Sequence, residues 1–512
     1  MNIILLIPET SENNVVRDVL YGCWCSGKRI GGGTVPPLTL LSVATVLKNE
    51  NHSVEILYFS GNEKKTILKS NLIIILTSTM TFTEDIEVMN QLKKIKPDCK
   101  IAVFGSHPTF MTEHTLLSNS FVDYAVTNEP EIIIKELVDC LEKGNDISNV
   151  KGLAYKKNGN FFYTGDRPFI QDLDSLPVPD RTLIPKKNFY NPLIFKYPYT
   201  TVETSRGCTK TCYFCTAPKM YGYKIRYQSA EKVFEEIRYL AGLGFKTIYF
   251  RDEIFTALNK RNRVVFELLK KKSININWLC NAAVGSVSYG ELKEMKQSGC
   301  YYIKVGVETG SQKILDSVHK QITIAETADL FDAARKLNIF THAHLMIGLP
   351  GESKDTINET LKFLFKIKPT TIDIGIYTPY PGSKLFSQLS EKIDFSETLG
   401  LSMNNLHIHS EYNKYFTDLT NHEIEYYLKL LYKKYYFRIK YFYENKGYFL
   451  EHNIGQFNDG GRGDFAYLFE TKQHLDRDEG EKDMVSIGPC CNIDYHQGPE
   501  KFIEPSPENI EH

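Results

Sequence analysis

No uninterrupted apolar run in this sequence reaches the roughly 18 residues that a membrane-spanning helix needs. The stretch LIIIL at 72–76 has the length of a strand. A surplus of charge is missing too. Sixty-one Lys and Arg against 62 Asp and Glu leave a formal net charge of −1, so no global basic field argues for nucleic acid or an acidic membrane. The opening MNIILLIPET lacks a basic leader and runs into Pro8, which predicts a buried first strand rather than a signal peptide. No tandem repeat stands out. The 11 cysteines are odd in number and scattered, and with no secretory signal a disulfide framework explains them poorly. A reducing, cytoplasmic setting is expected, and any close group of cysteines reads first as a metal site.

At 512 residues the chain is expected to hold about two to four domains. Over 1–150, strand-like NIILLIP, SVEILYF, LIIILTST, KIAVFGSHP and VDYAVT alternate with helix-like segments at 37–50, 84–97 and 131–144. That rhythm predicts a doubly wound, Rossmann-like parallel sheet. Ligands of such sheets bind at the carboxyl ends of the strands. Here those ends are Pro8-Glu9-Thr10, Thr77-Ser78-Thr79 and Gly105-Ser106-His107-Pro108. Residues 151–198 lose the rhythm. Their prolines at 168, 177, 179, 185, 192 and 198 predict an extended linker. Alternation returns over 199–390, where six strand-like segments with helices between them predict a partial (β/α)6 barrel of TIM type. Its chemistry is expected at the strand carboxyl ends. Residues 391–512 read as a helical C-terminal region, with one long tyrosine-rich helix at 421–444 and a polar tail.

Within the barrel's first loop, Cys208, Cys212 and Cys215 stand in CxxxCxxC spacing, directly after strand-like TTVETS. Three thiolates so close can wrap one side of an iron–sulfur cubane and leave one iron without a protein ligand. Zinc is the competing reading, but neither flank supplies a fourth Cys or His at knuckle spacing. A distant ligand such as Cys280 or Cys300 stays open. Cys23 with Cys25, and Cys490-Cys491 near His496, are too few for a second metal site and read as spectator thiols. His342 and His344 alternate on one strand and point the same way. They would touch substrate if that face lines the barrel, or serve the structure.

The segment SRGCTKTCYFC (205–215) resembles the first strand-loop of the radical S-adenosylmethionine (SAM) superfamily. The resemblance implies that Cys208, Cys212 and Cys215 bind a 4Fe–4S cluster, that SAM chelates the open iron, and that Phe214 lies near the adenine. It also implies reductive cleavage of SAM to methionine and a 5′-deoxyadenosyl radical. Three further segments follow in the family's order. RDEIF (251–255) offers Asp252 and Glu253 for the SAM amino group. VGVETGS (305–311) offers Glu308 for ribose hydroxyls or the amino group. MIGLPGES (346–353) offers Gly348, Gly351 and Glu352 beside the adenine. Arg226 matches a basic position before the first barrel helix, for the SAM carboxylate or as surface charge.

The first domain is similar to the cobalamin-binding domain of one large radical SAM subfamily. The similarity rests on GGGTVPPLTLLSVATVL (31–47), SHPTF (106–110), NEPE (128–131), DLDSLPVPDRTLI (172–184) and YTPYPGSKLF (377–386). It implies cobalamin as a cofactor, with Thr77, Ser78, Gly105, His107 and Glu129 as candidate contacts. The DxHxxG motif whose histidine ligates cobalt elsewhere is absent. The expected activity is methylation of an unactivated carbon of a small molecule through methylcobalamin. Cyclisation or rearrangement without methyl transfer, methylthiotransfer and simple electron transfer are the alternatives. A flavodoxin- or ferredoxin-type electron donor is the expected partner, and no nucleic acid.

Overall fold

The computed structural model describes residues 1–8, 35–79, 81–184, 189–393 and 413–448. Glu9, Thr10, the glycine run at 31–33, Cys23, Cys25, Cys490, Cys491, His496 and the polar tail lie outside the described residues.

Seven strands form the first sheet: β1 (Asn2–Pro8), β2 (Ser53–Phe59), β3 (Leu72–Leu76), β4 (Lys100–Phe104), β5 (Tyr124–Val126), β6 (Leu153–Lys157) and β7 (Asn160–Tyr163). Their order is β2-β1-β3-β4-β5-β6-β7. The first five pair in parallel. Every residue of β3 is buried because helices cover both faces. Leu72 and Ile74 pack with Leu40 and Val43 of helix Leu38–Asn49 and with Ile133 and Leu137 of helix Pro130–Lys143. Ile73 and Ile75 pack with Val88, Met89 and Leu92 of helix Phe82–Ile95. A sheet covered on both sides selects such continuous apolar strands.

The expected linker opens with regular structure. Its β6 and β7 form a hairpin that extends the first sheet antiparallel to β5. Asn158 and Gly159 make the two-residue loop at φ 54° and 79°. An Asn-Gly pair at positive φ matches the twist of a hairpin, and the sequence signal was the NG within KKNGN. From Thr164 the chain is irregular apart from short 3-10 turns at Leu173–Ser175 and Arg181–Leu183.

The second sheet comprises β8 (Tyr199–Val202), then, after the two-residue strands β9 (Ser205–Arg206) and β10 (Arg226–Tyr227), β11 (Thr247–Phe250), β12 (Asn277–Ala282), β13 (Cys300–Glu308), β14 (Phe340–Ile347) and β15 (Thr371–Ile376). Its order is β8-β11-β12-β13-β14-β15, all parallel, with β8 and β15 left as edges of an open barrel. β9 and β10 pair antiparallel and frame the cysteine loop between them.

The expected 421–444 helix is two helices, Asn421–Tyr436 and Ile439–Glu444. Arg438 breaks it with extended backbone, and its guanidinium stacks on Phe365 at 5.0 Å and Tyr435 at 4.8 Å. The break lets several tyrosines reach the β15 side of the barrel. Ile374 N donates to Tyr432 Oη at 2.8 Å, and Ile372 N to Tyr436 Oη at 2.7 Å. Tyr436 Oη donates in turn to Ile372 O at 3.0 Å, and Tyr441 Oη to Thr370 O at 2.8 Å. Phenol groups thus satisfy an edge that would otherwise invite another strand. Tyr436→Phe should leave both polar groups of Ile372 unsatisfied at a cost of about 1–3 kcal/mol. Hydrogen exchange over 370–376 checks this, with faster exchange there than in the wild type.

Candidate functional site

The cysteine loop begins where the backbone has no room for a side chain. Gly207 sits at φ +101°, and a Cβ there would come within 2.4 Å of Lys224 O. Cys208 N donates to Gly222 O at 3.1 Å, and Cys215 N to Cys212 O at 3.1 Å. Tyr213 ties the loop to two barrel segments. Its N–H donates to Val318 O at 3.0 Å, and its carbonyl accepts from Leu385 N at 3.0 Å. Cys208 is buried and the other two thiols are half-buried. Burial pushes the Cys208 thiol up to about 11, with the Glu253 and Cys212 charges adding to it and Lys320 opposing. Metal binding here therefore displaces thiol protons. Cys280 and Cys300, open as distant ligands from spacing alone, lie in the barrel core and interact with each other.

Asp252 and Glu253, taken together in the sequence reading, separate in the structure. Asp252 is a brace. It accepts from Thr204 N at 2.7 Å, Thr204 Oγ1 at 2.5 Å and Ser205 Oγ at 2.7 Å, and is fully buried. It therefore fixes the approach to the cysteine loop and is not open to a cofactor. Neither carboxylate oxygen of Glu253 has a partner from another residue, though both are buried. Burial and the neighbouring Glu203 charge push Glu253 well above the ordinary carboxylate range. An orphaned carboxylate that feels Cys208 fits a cationic ligand group beside the loop.

Glu308 ends β13 at φ +64° and forms an ion pair with Lys320, a residue with no sequence signal. A Cβ on Gly306 would lie 2.5 Å from Glu308 Oε1 and 2.9 Å from Lys320 Nζ, so glycine makes the space for that pair. Lys320 stands 5.7 Å over the Phe214 ring, and against its burial the Glu308 charge, with smaller help from Cys212 and Cys215, raises it above the ordinary lysine value. Phe214 packs with Met346, Leu349 and Tyr377. Gly348 sits at φ +87°, and its N–H donates to Glu352 Oε2 at 2.5 Å. Burial pushes Glu352 up to about 8. Glu352 therefore shapes the glycine loop from behind.

The first-domain candidates mostly serve the structure. Thr77 Oγ1 donates to Asp85 Oδ2 at 2.6 Å, and Ser78 N to Thr81 Oγ1 at 3.2 Å. A Cβ on Gly105 would lie 2.1 Å from Thr77 O, so this position is a close backbone crossing. His107 stacks on Phe82 at 3.9 Å, with Nδ1 3.3 Å from Thr79 Oγ1 and Nε2 3.1 Å from His114 Nδ1. With both ring nitrogens engaged it is sealed away from a ligand, and burial and His114 hold it neutral. The neighbouring Ser106 Oγ is buried without a partner at the end of β4.

Glu129 is neither exposed nor open to a cofactor. It accepts from Arg226 Nη1 at 2.8 Å, Arg206 Nη1 at 3.2 Å and Ile170 N at 2.7 Å. Glu131 accepts from Arg206 Nη2 at 2.6 Å and Ser42 Oγ at 3.0 Å. Arg226 is thus a buried interdomain residue rather than surface charge or a SAM contact. These charges lock the end of β5 to the strand that precedes Cys208. Phe110 against Gly382, and Met220 and Tyr221 in the first domain's core, extend the interface.

Burial acts to raise the Glu131 pKa, but Arg206 wins and holds it below the ordinary value. Its contribution is therefore present above pH 4.5 and lost as pH falls through the lowered value. Arg206→Met should cost about 3–5 kcal/mol by leaving buried charge uncompensated. It should also reverse the sign at Glu131, so that stability falls as pH rises. Denaturation midpoints across pH 4–8 check both.

The radical SAM superfamily profile matches residues 202–364. An uncharacterized methyltransferase of Pyrococcus horikoshii is 30% identical over 478 residues, covering 89% of this chain and 97% of the relative. An anaerobic magnesium-protoporphyrin IX monomethyl ester cyclase of Cereibacter sphaeroides is 30% identical over 62% of this chain and 54% of its own length. Among solved structures, the radical SAM methyltransferase TsrM of Kitasatospora setae, with cobalamin and a [4Fe–4S] cluster bound, superposes with a TM-score of 0.62 at 17% identity, covering 77% of this chain and 78% of that one. With the profile over its barrel and a relative matched along nearly its full length, this chain belongs to the radical SAM superfamily.

Proposed function

We propose that the chain is a cobalamin-dependent radical SAM methyltransferase that methylates an unactivated carbon of a small molecule. The observation that supports this best is the buried clamp of Arg206 and Arg226 on Glu129 and Glu131, which sets the carboxyl side of the first sheet against the cysteine loop. A cofactor at the first site would then neighbour one at the second.

In this reading Cys208, Cys212 and Cys215 hold the cluster. Glu253 accepts hydrogen bonds from the SAM ammonium, for which its buried, partnerless oxygens are suited. Glu308, fixed by Lys320, turns its second oxygen, which has no partner, to the ribose or the amino group. Phe214, Met346 and Tyr377 form the apolar wall that keeps water out. Thr77, Ser78 and Gly105 shape the floor for cobalamin by backbone close approach, and Ser106 offers the free hydroxyl. With His107 sealed, no imidazole from that strand end serves as a cobalt ligand. When bound, the cluster and SAM supply a hydrogen-abstracting 5′-deoxyadenosyl radical and cobalamin supplies the methyl group. The protein's part is to orient these groups and exclude water. A flavodoxin- or ferredoxin-type protein supplies the electron.

The cyclase relative supports a second reading, ring closure without methyl transfer. Two measurements on anaerobically reconstituted enzyme with SAM, cobalamin and reductant decide the matter. Cys212→Ala should reduce 5′-deoxyadenosine formation to background; persistent reductive cleavage by that variant overturns the assignment. S-adenosylhomocysteine should form in step with a methylated product, whereas deoxyadenosine without S-adenosylhomocysteine would favour cyclisation.

A further inference from the structure

The inner face of the barrel carries a group of side chains that the proposed cofactor sites leave unused. On β14, Ala343, Leu345 and Ile347 join the core beneath the outer helices, so His342, His344 and Met346 face the lumen. Met346 meets Phe214 there. On β15, Ile372, Ile374 and Ile376 belong to the same outer core, which turns Asp373 and Gly375 inward. His344 pairs in register with Asp373, and Met346 with Gly375.

His342, His344 and Asp373 each bring one ligand atom within 4.8 Å of the other two. His342 Nε2 lies 3.0 Å and His344 Nδ1 2.6 Å from the same oxygen, Asp373 Oδ1. Ligands on a tetrahedral zinc, with bonds of about 2.0–2.2 Å, stand about 3.3 Å apart. A small outward movement of these three side chains would admit an ion. The arrangement behind them is also that of a metal site. His342 Nδ1 lies 2.5 Å from Thr371 Oγ1, which is 2.5 Å from Tyr302 Oη. Metal-binding imidazoles are oriented by such a hydrogen bond at the other ring nitrogen.

Lys304 on β13 stands in register beside His342, its ammonium 5.3 Å from the Tyr249 ring centre. Two imidazoles and one carboxylate suit zinc and its transition-metal neighbours rather than magnesium or calcium. The site is also open. A Cβ on Gly375 would have nothing within 4 Å, and the His344 side chain is 27% exposed.

We infer that His342, His344 and Asp373 form a three-ligand site for a divalent cation of the zinc class, its lumen-side position open to an oxygen or nitrogen of the substrate. This site is separate from the cluster loop and does not depend on the cobalamin reading.

The test uses full-length enzyme with its cluster reconstituted, equilibrated with Zn(II) and desalted, with zinc and iron counted by mass spectrometry. Wild type should retain about one zinc per chain in addition to cluster iron. His344→Gln and Asp373→Asn should retain at least about tenfold less with unchanged iron. X-ray absorption at the zinc edge of the wild type keeps the test decisive if a variant misfolds. It should show nitrogen and oxygen neighbours only, whereas sulfur at about 2.3 Å would put the zinc on cysteine. Failure of the wild type to retain zinc, equal retention by folded variants, or a sulfur shell would each overturn the inference.

Discussion

Arg206 and Arg226 hold the two halves of this protein together, and the geometry of the site depends on them. Each is buried, and each meets a carboxylate from the start of the helix that follows β5. Buried charge is tolerated only when paired and hydrogen-bonded, and removing one partner leaves an expensive orphan. These ion pairs hold the residues after β5 beside the strand that leads into the cysteine loop. Arg206 is two residues from Cys208, so the constraint passes directly into the loop.

The loop is held from its other sides as well. Asp252 gathers Thr204 and Ser205, Gly207 permits the turn, and Tyr213 is hydrogen-bonded to segments following β13 and β15. Against this rigid surround, a few groups are left unsatisfied: both oxygens of Glu253, one of Glu308, and the hydroxyls of Ser106 and Tyr377. Such groups cost stability unless something binds them. Glu253 and Glu308 are the ones among them whose charges act on the thiols of the cysteine loop. The tyrosine-rich helix closes the β15 edge by hydrogen bonds to its backbone, leaving the inner face of that strand for the lumen.

Much of this was legible in the residues. CxxxCxxC after a strand picked out the cysteine loop, and short apolar runs alternating with segments of helical spacing gave the rhythm of both sheets. Other features were less visible. RDE at the end of β11 does not reveal which acid is tied down and which is free, because that depends on Thr204 and Ser205 across the sheet. Glu129 looked like a loop acid near a ligand, yet its arginine partners are 77 and 97 residues away. Lys320 follows a short helix with no motif around it, and only folding brings it to Glu308, Phe214 and the thiolates. His342 and His344 were visible as a same-face pair, but their shared carboxylate on the next strand was not.

By itself the sequence determined the chemistry available: three thiols at cluster spacing, glycines where backbone must approach backbone, and strands apolar enough to be covered on both faces. Local spacing suffices for these because they are set by neighbours a few residues apart. The tertiary structure alone decided which charged groups are consumed in holding the domains together and which stay free to meet a ligand. That division depends on long-range pairing and burial, and in a low-dielectric interior it is the partner, rather than the residue type, that sets what a charge can do.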